Sequence, residues 1–103
     1  SFMSVIKELD EATVLDIFDG IPRYSVSSNL VENSIEIIPF LVQEAKIYSS
    51  NGEARRLLTE NAISINKSKV KVDYTIGKDD ILKGKYILVQ QGKKKDFLIE
   101  LQS

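Results

Sequence analysis

At Asn61 the hydrophobic period of this chain changes from 3.6 residues to 2, and that switch limits the folds open to it. Before Asn61, Ile38, Leu41, Val42 and Ala45 form an i, i+3, i+4, i+7 set, and Ala54, Leu57 and Leu58 form a second helical stripe. After it, Ile63 and Ile65 alternate with Ser64 and Asn66, and Val70, Val72, Tyr74 and Ile76 alternate with Lys69, Lys71, Asp73 and Thr75. Tyr86–Val89 is a continuous apolar run, as expected for a strand covered on both faces, and Phe97–Leu101 is another. Helices first and strands later, in a chain of 103 residues, predict one small α+β domain with helices on one side of a mainly antiparallel sheet.

Local signals place the element ends. Val14, Ile17 and Phe18 give a helix over Glu11–Phe18, which Gly20 and Pro22 stop. Arg23–Ser27 reads as a short strand, and Asn29–Ser34 as a polar loop. Pro39 is tolerable only in a first helical turn, so the second helix starts near Glu36 or Ile37. Ser50-Asn51-Gly52-Glu53 forms a capping box that opens a third helix, about Asn51–Glu60, with Arg55 on the flank of its apolar stripe and Arg56 pointing away. The short connection from Lys46 to Ser50 makes these two helices a helix-turn-helix. Residues 63–76 read as a half-exposed hairpin with lysines on its wet face, and Gln91-Gly92-Lys93 as a tight turn. Residues 1–30 are a lead-in helix and strand packed on a main domain spanning 31–103.

Composition removes much chemistry. With no His and no Cys, the chain has no imidazole base, thiol nucleophile, disulfide or Cys/His zinc site, and any metal would need carboxylates alone. The longest apolar stretch, Ile37–Val42, contains a Pro and falls far short of the roughly 20 residues that span a bilayer. No signal-peptide core precedes it, so the expected compartment is cytoplasmic, with no membrane partner. Charge is unevenly spread: residues 1–45 carry two basic against eight acidic side chains, a net of -6, and residues 46–103 carry twelve basic against seven acidic, a net of +5. A basic second part suggests a polyanion partner; a solvated surface of uneven charge is the plainer reading.

The residues also carry a resemblance. A helix, then the helix Ser49-Ser50-Asn51-Gly52-Glu53-Ala54-Arg55-Arg56-Leu57, then Ile63-Ser64-Ile65-Asn66, then Gly84-Lys85-Tyr86-Ile87-Leu88 with Gly92-Lys93-Lys94, resembles the S-four-like RNA-binding domain, or alpha-L motif, over about Ile35–Leu101. Within that superfamily, Ser50–Arg56 and the upstream Ile17-Phe18-Asp19-Gly20-Ile21-Pro22 are most similar to the C-terminal domain of bacterial tyrosyl-tRNA synthetases. Family members commonly carry two glycines where this chain has Asn61 and Ala62; Asn61 can take a left-handed conformation and cap the helix, whereas Ala62 cannot do so freely.

The resemblance implies a parent tyrosine-tRNA ligase, a homodimer using ATP and magnesium, and a monomeric, cofactor-free, non-catalytic segment that docks the tyrosine tRNA, principally by its long variable arm and nearby stem. The catalytic domains of the same parent chain are then its other partner. A class I catalytic core uses a His-Ile-Gly-His signature, which a chain without histidine cannot contain. Lys67-Ser68-Lys69 superficially matches the second class I signature but interrupts an alternating strand pattern and reads as a hairpin turn. Ser1, ahead of Met3, fits a tag remnant, and an end just after Leu101 fits a C-terminal module.

Phosphate neutralisation dominates RNA affinity, so contacts are sought among exposed, clustered and unpaired cations. Arg55 has no acid at its helical neighbour positions; Arg56 has Glu53 and Glu60 and reads equally as an ion-pair residue. Amides near Ser50, Asn51 and Gly52 can receive a phosphate, unless the capping box already satisfies them. Lys67, Lys69 and Lys71 on the hairpin, Lys93, Lys94 and Lys95 in the last turn, and Lys46 complete the cationic set; each lysine group alone also fits a solvated sheet edge. Phe97, Tyr86 and Tyr74 fall on apolar strand faces, which leaves Tyr48 as the expected exposed stacker and recognition mainly of shape and backbone. The competing readings are a ribosome-associated or RNA-modifying protein with the same domain, and a protein-binding or structural domain whose lysines serve solubility.

Overall fold

In chain order the computed structural model, which describes residues 2–103, contains α1 (Phe2–Glu8), α2 (Glu11–Ile17), β1 (Arg23–Ser27), α3 (Ser28–Glu32), β2 (Ile35–Glu36) and α4 (Ile37–Pro39), which a π-helical segment (Phe40–Glu44) continues. There follow α5 (Asn51–Thr59), β3 (Ile63–Ile65), β4 (Ser68–Lys69), β5 (Thr75–Ile76), a 3-10 turn (Lys78–Asp80), β6 (Tyr86–Gln91) and β7 (Lys95–Gln102). Ser1, read above as a tag remnant, lies outside the described residues. The main sheet has the order β1-β7-β6-β3-β4, antiparallel throughout except for the parallel edge pair β1–β7, and β2 pairs with β5 in a small second sheet. This is the mainly antiparallel α+β domain that the period switch predicts.

Alternate residues of the two central strands feed two separate cores. Ile87, Val89, Ile99 and Leu101 pack with Ile37, Phe40, Leu41, Ala54 and Leu58, so α4, the π segment and α5 cover one face. Tyr86, Leu88 and Leu98 pack with Ile6, Val14, Phe18 and Leu82, so α1 and α2 cover the other. Helices therefore lie on both sides of the sheet and not on one, as the uninterrupted Tyr86–Val89 run requires. The run in β7 is broken by Glu100, which pairs with Arg23 (3.6 Å) and Lys85 (3.5 Å).

Two further expectations change. Asn29–Ser34 is not all loop: α3 turns there with Val31 fully buried, a single helical turn held by burial and too short to show a period. Residues 70–76 are not one strand. Val70 and Ile76 enter the core at either end, while the Tyr74 hydroxyl donates to Asp80 Oδ1 (2.5 Å) and draws the middle away from the sheet, leaving Val72 exposed.

Two left-handed turns aim the elements at one another. Asn61 (φ +63°) ends α5 in a Schellman motif: its N–H donates to the Leu58 carbonyl (3.1 Å) and the Ala62 N–H to the Leu57 carbonyl (2.9 Å). Of the two residues only Asn61 takes the positive φ, so Ala62 is not forced into the left-handed region. Asn66 and Lys67 (φ +50° and +70°) form the two-residue turn of the β3–β4 hairpin, which confirms Lys67-Ser68-Lys69 as a hairpin tip. The buried Asn66 side chain donates from Nδ2 to the Asp80 carbonyl (2.7 Å) and accepts at Oδ1 from the Leu88 N–H (3.0 Å).

Leu58 is fully buried between α5 and the sheet. Leu58→Ala is expected to lower the unfolding free energy by about 2–5 kcal/mol in denaturant titrations. An unchanged midpoint would contradict its placement.

Candidate nucleic-acid interface

The start of α5 organises the face opposite α1 and α2. The Ser50 hydroxyl accepts from the Glu53 N–H (3.1 Å), so half of the predicted capping box is present. Glu53 does not close the other half; its carboxylate instead lines a groove beside Tyr48. The α5 stripe is buried as expected, through Ala54, Leu57 and Leu58. Arg55 is exposed and, among the described residues, has no ion pair or hydrogen bond. Arg56 Nη1 donates to Glu60 Oε1 at 3.3 Å, with both side chains more than half exposed (60% and 54%), a pair worth only a few tenths of a kcal/mol.

The turn before α5 is equally specific. The π segment closes with the Ala45 N–H donating to the Phe40 carbonyl (2.9 Å), and Lys46 then takes φ +59°, a region that favours glycine or asparagine. Lys46 is exposed at the rim of a groove of about 810 Å³. Gln43, Ser49 and Glu53 line it from the helical side, and Gln91, Lys95 and Phe97 from the strands. Gln43 also lines the neighbouring groove of about 350 Å³, with Asn51, Arg55, Glu36 and Val72, and its Nε2 donates to Asn51 Oδ1 (3.3 Å). Lys94 and Lys95 line a third groove beside Gly20, Ile21 and Pro22. Lys94, Lys95, Lys46, Asn51 and Arg55 therefore border one continuous surface, with exposed Lys93 in the adjoining turn.

A family model described as "Tyrosine--tRNA ligase SYY-like C-terminal domain" matches residues 13–99. The chain belongs to that family. It is 40% identical over 96 residues to a tyrosine--tRNA ligase of Flavobacterium johnsoniae, 39% over 95 residues to one of Porphyromonas gingivalis, and 37% over 95 residues to one of Bacteroides thetaiotaomicron. These alignments cover 93%, 91% and 91% of this chain, and it spans 22% of the length of each relative.

Not every predicted contact of this tyrosine--tRNA ligase C-terminal domain lies on the continuous surface. Ser64 pairs with Lys69, and Ser64 alternates with Ile63 and Ile65, which face the α5 core; the pleat thus sends Lys69 to the opposite face. Lys67 Nζ lies 5.5 Å from the centre of the Phe2 ring on α1. Lys71 is exposed one residue before Val72, which lines the Arg55 groove. The structure thus separates Lys67 and Lys69 from Lys46, Arg55 and Lys95.

The aromatics exchange roles. Tyr48, expected as the exposed stacker, is only 6% exposed and donates to Gln91 Oε1 (2.9 Å), tying the helix-turn-helix to the end of β6. Phe97, expected in the core, is partly exposed, meets Tyr48 and Tyr24 edge-on, and lines two grooves. Its signal was present in the sequence: Lys95 and Phe97, two apart on a strand, share a face. No helix among the described residues is long and apolar enough to cross a membrane.

Burial, reinforced by the Glu53 charge, raises the Tyr48 hydroxyl pKa to about 12. An unfolded tyrosine loses its proton near pH 10, so between about pH 10 and 12 the folded state holds a proton that the unfolded state has released, and stability falls as pH rises. Burial and the Asp80 contact raise Tyr74 as well, so Tyr48→Phe should make this alkaline decline shallower without abolishing it. An identical decline in denaturation midpoints between pH 9 and 12 would contradict the assignment.

Proposed function

We propose that this domain docks tRNA for a parent tyrosine--tRNA ligase, holding the long variable arm and nearby stem while the catalytic part of that enzyme attaches tyrosine. The observation that carries the reading is the arrangement of Lys46, Lys95 and unpaired Arg55 along one surface around the start of α5. Phosphates are neutralised by cations that no neighbouring carboxylate already holds. Ser50 and Asn51 stand beside these cations and offer polar contacts to the sugar-phosphate backbone. The α1 and α2 side mixes Glu8, Glu11 and Asp16 with Lys7 and the nearby Lys67, so its charges largely offset one another. The three relatives named above are tyrosine--tRNA ligases, which supports the choice of RNA.

For a footprint of about four phosphates, log Kd for tRNA against log salt should have a slope magnitude near 3 to 4. A slope near zero would overturn the reading in favour of a protein-binding domain. Arg55→Ala should weaken binding and reduce that slope by about one contact. Arg56→Ala should leave binding almost unchanged, since Arg56 is engaged by Glu60. Both comparisons require circular dichroism to show folded variants; a larger effect at Arg56 would place the RNA across the outer face of α5.

A further inference from the structure

The groove between Lys46 and Lys95 is more elaborate than phosphate docking requires. A surface that only neutralises a backbone needs exposed cations; this one adds an aromatic wall, a carboxylate and two amides. The Glu53 carboxylate is half-buried within the groove, while both lysines are exposed at its border. A phosphate is therefore repelled from the interior and attracted to the border. The edge-on contacts of Phe97 with Tyr24 and Tyr48 (centroids 5.8 and 6.4 Å apart) hold its ring from two sides. Gln91 is preset too: its Oε1 accepts from Tyr48, which leaves its Nε2 to donate. Gln43 uses its Nε2 on Asn51 and keeps its Oε1 as an acceptor.

The turn also fixes where Lys46 stands. Lys46 stands at φ +59°, where a β-carbon is disfavoured and glycine or asparagine would be easier. Lys67 and Lys83 take positive φ in their turns as well (+70° and +53°), so the turn sets this conformation, and what Lys46 adds is its charge at the border of the groove. Of the five residues from Lys46 to Ser50, it is the only cation.

We propose that this groove receives the base of one unpaired nucleotide of the docked RNA, stacked against Phe97, with its flanking phosphates between Lys46 and Lys95. This rests on the tRNA-docking reading and deepens it, because it adds readout of a flipped-out base to recognition of backbone shape. Glu53, an acceptor only, and the Gln43 carbonyl face the base edge as acceptors, and Gln91 Nε2 as a donor.

The test uses two RNA hairpins of equal stem length, one fully paired and one with a single bulged 2-aminopurine. On binding the domain, the bulged probe should lose its stacking within the RNA and brighten. It should also bind more tightly than the paired one by roughly 5- to 150-fold, the range of one base stacked on an aromatic side chain. Phe97→Leu should remove most of that preference while leaving the salt slope on the paired hairpin unchanged. Should Phe97→Leu fail to fold, Lys46→Gly serves, since it relaxes the left-handed backbone while removing the charge. It should weaken the bulged probe more than the paired one. Equal affinity of wild-type protein for both hairpins, with salt-dependent binding retained, would overturn the nucleotide pocket and leave the docking reading standing. Salt-insensitive or undetectable binding to both would overturn the docking reading itself, and the pocket with it.

Discussion

Everything else in this domain hangs on the burial of the β6–β7 hairpin from both sides. Ile87 and Val89 point into the core under α4 and α5, and Tyr86 and Leu88 into the core under α1 and α2. Two-sided burial has a consequence for register. A one-residue slip would exchange one apolar set for another, so hydrophobic pattern alone specifies the alignment weakly. Polar pins supply the rest. Asn66 grips Leu88 through its side-chain oxygen and its own N–H, which donates to the Leu88 carbonyl (2.8 Å). Gln90 Nε2 donates to Asp96 Oδ1 across the hairpin (2.8 Å), and Glu100 meets Lys85 and Arg23. Each pin is lost in a slipped register, and a stranded Leu88 N–H would cost about 1–3 kcal/mol.

That register is also what assembles the candidate interface. With Gln91 opposite Lys95, the hairpin ends where the helix-turn-helix begins. The Tyr48 hydroxyl reaches Gln91, and the Gly92 N–H donates to the Ala62 carbonyl (2.8 Å) just after the α5 cap. Lys46 and Lys95, 49 positions apart in sequence, thus border one groove held by two packed elements. Side chains on such supports keep their positions better than side chains on free loops.

Much of this is legible in the sequence. The α5 stripe, its Ser50 cap, the strand Arg23–Ser27 and the hairpin tip at Lys67 follow from short-range rules, because each is decided by neighbours within a turn or a pleat. What was not legible depends on contacts distant in sequence. Tyr48 looked exposed because its partner Gln91 lies 43 residues away. The alternation of Val70–Ile76 suggested a strand, but Asp80 and the core take its ends elsewhere. Lys67, Lys69 and Lys71 would share a face only in one unbroken strand. Phe2, Ile6 and Leu9, at i, i+4 and i+7 in and just after α1, are a helical signal in the sequence, and all three pack on the second core.

In the proposed docking, RNA meets the α4–α5 face and not the α1–α2 face. Backbone amide chemical shifts of the labelled domain, followed during titration with tyrosine tRNA at low salt, address it most directly. The account predicts perturbations concentrated at Lys46–Arg55 and Gln91–Phe97, with Phe2–Ile17 and the Lys67–Lys69 tip unmoved. Perturbations centred on α1, α2 and the hairpin tip would contradict it.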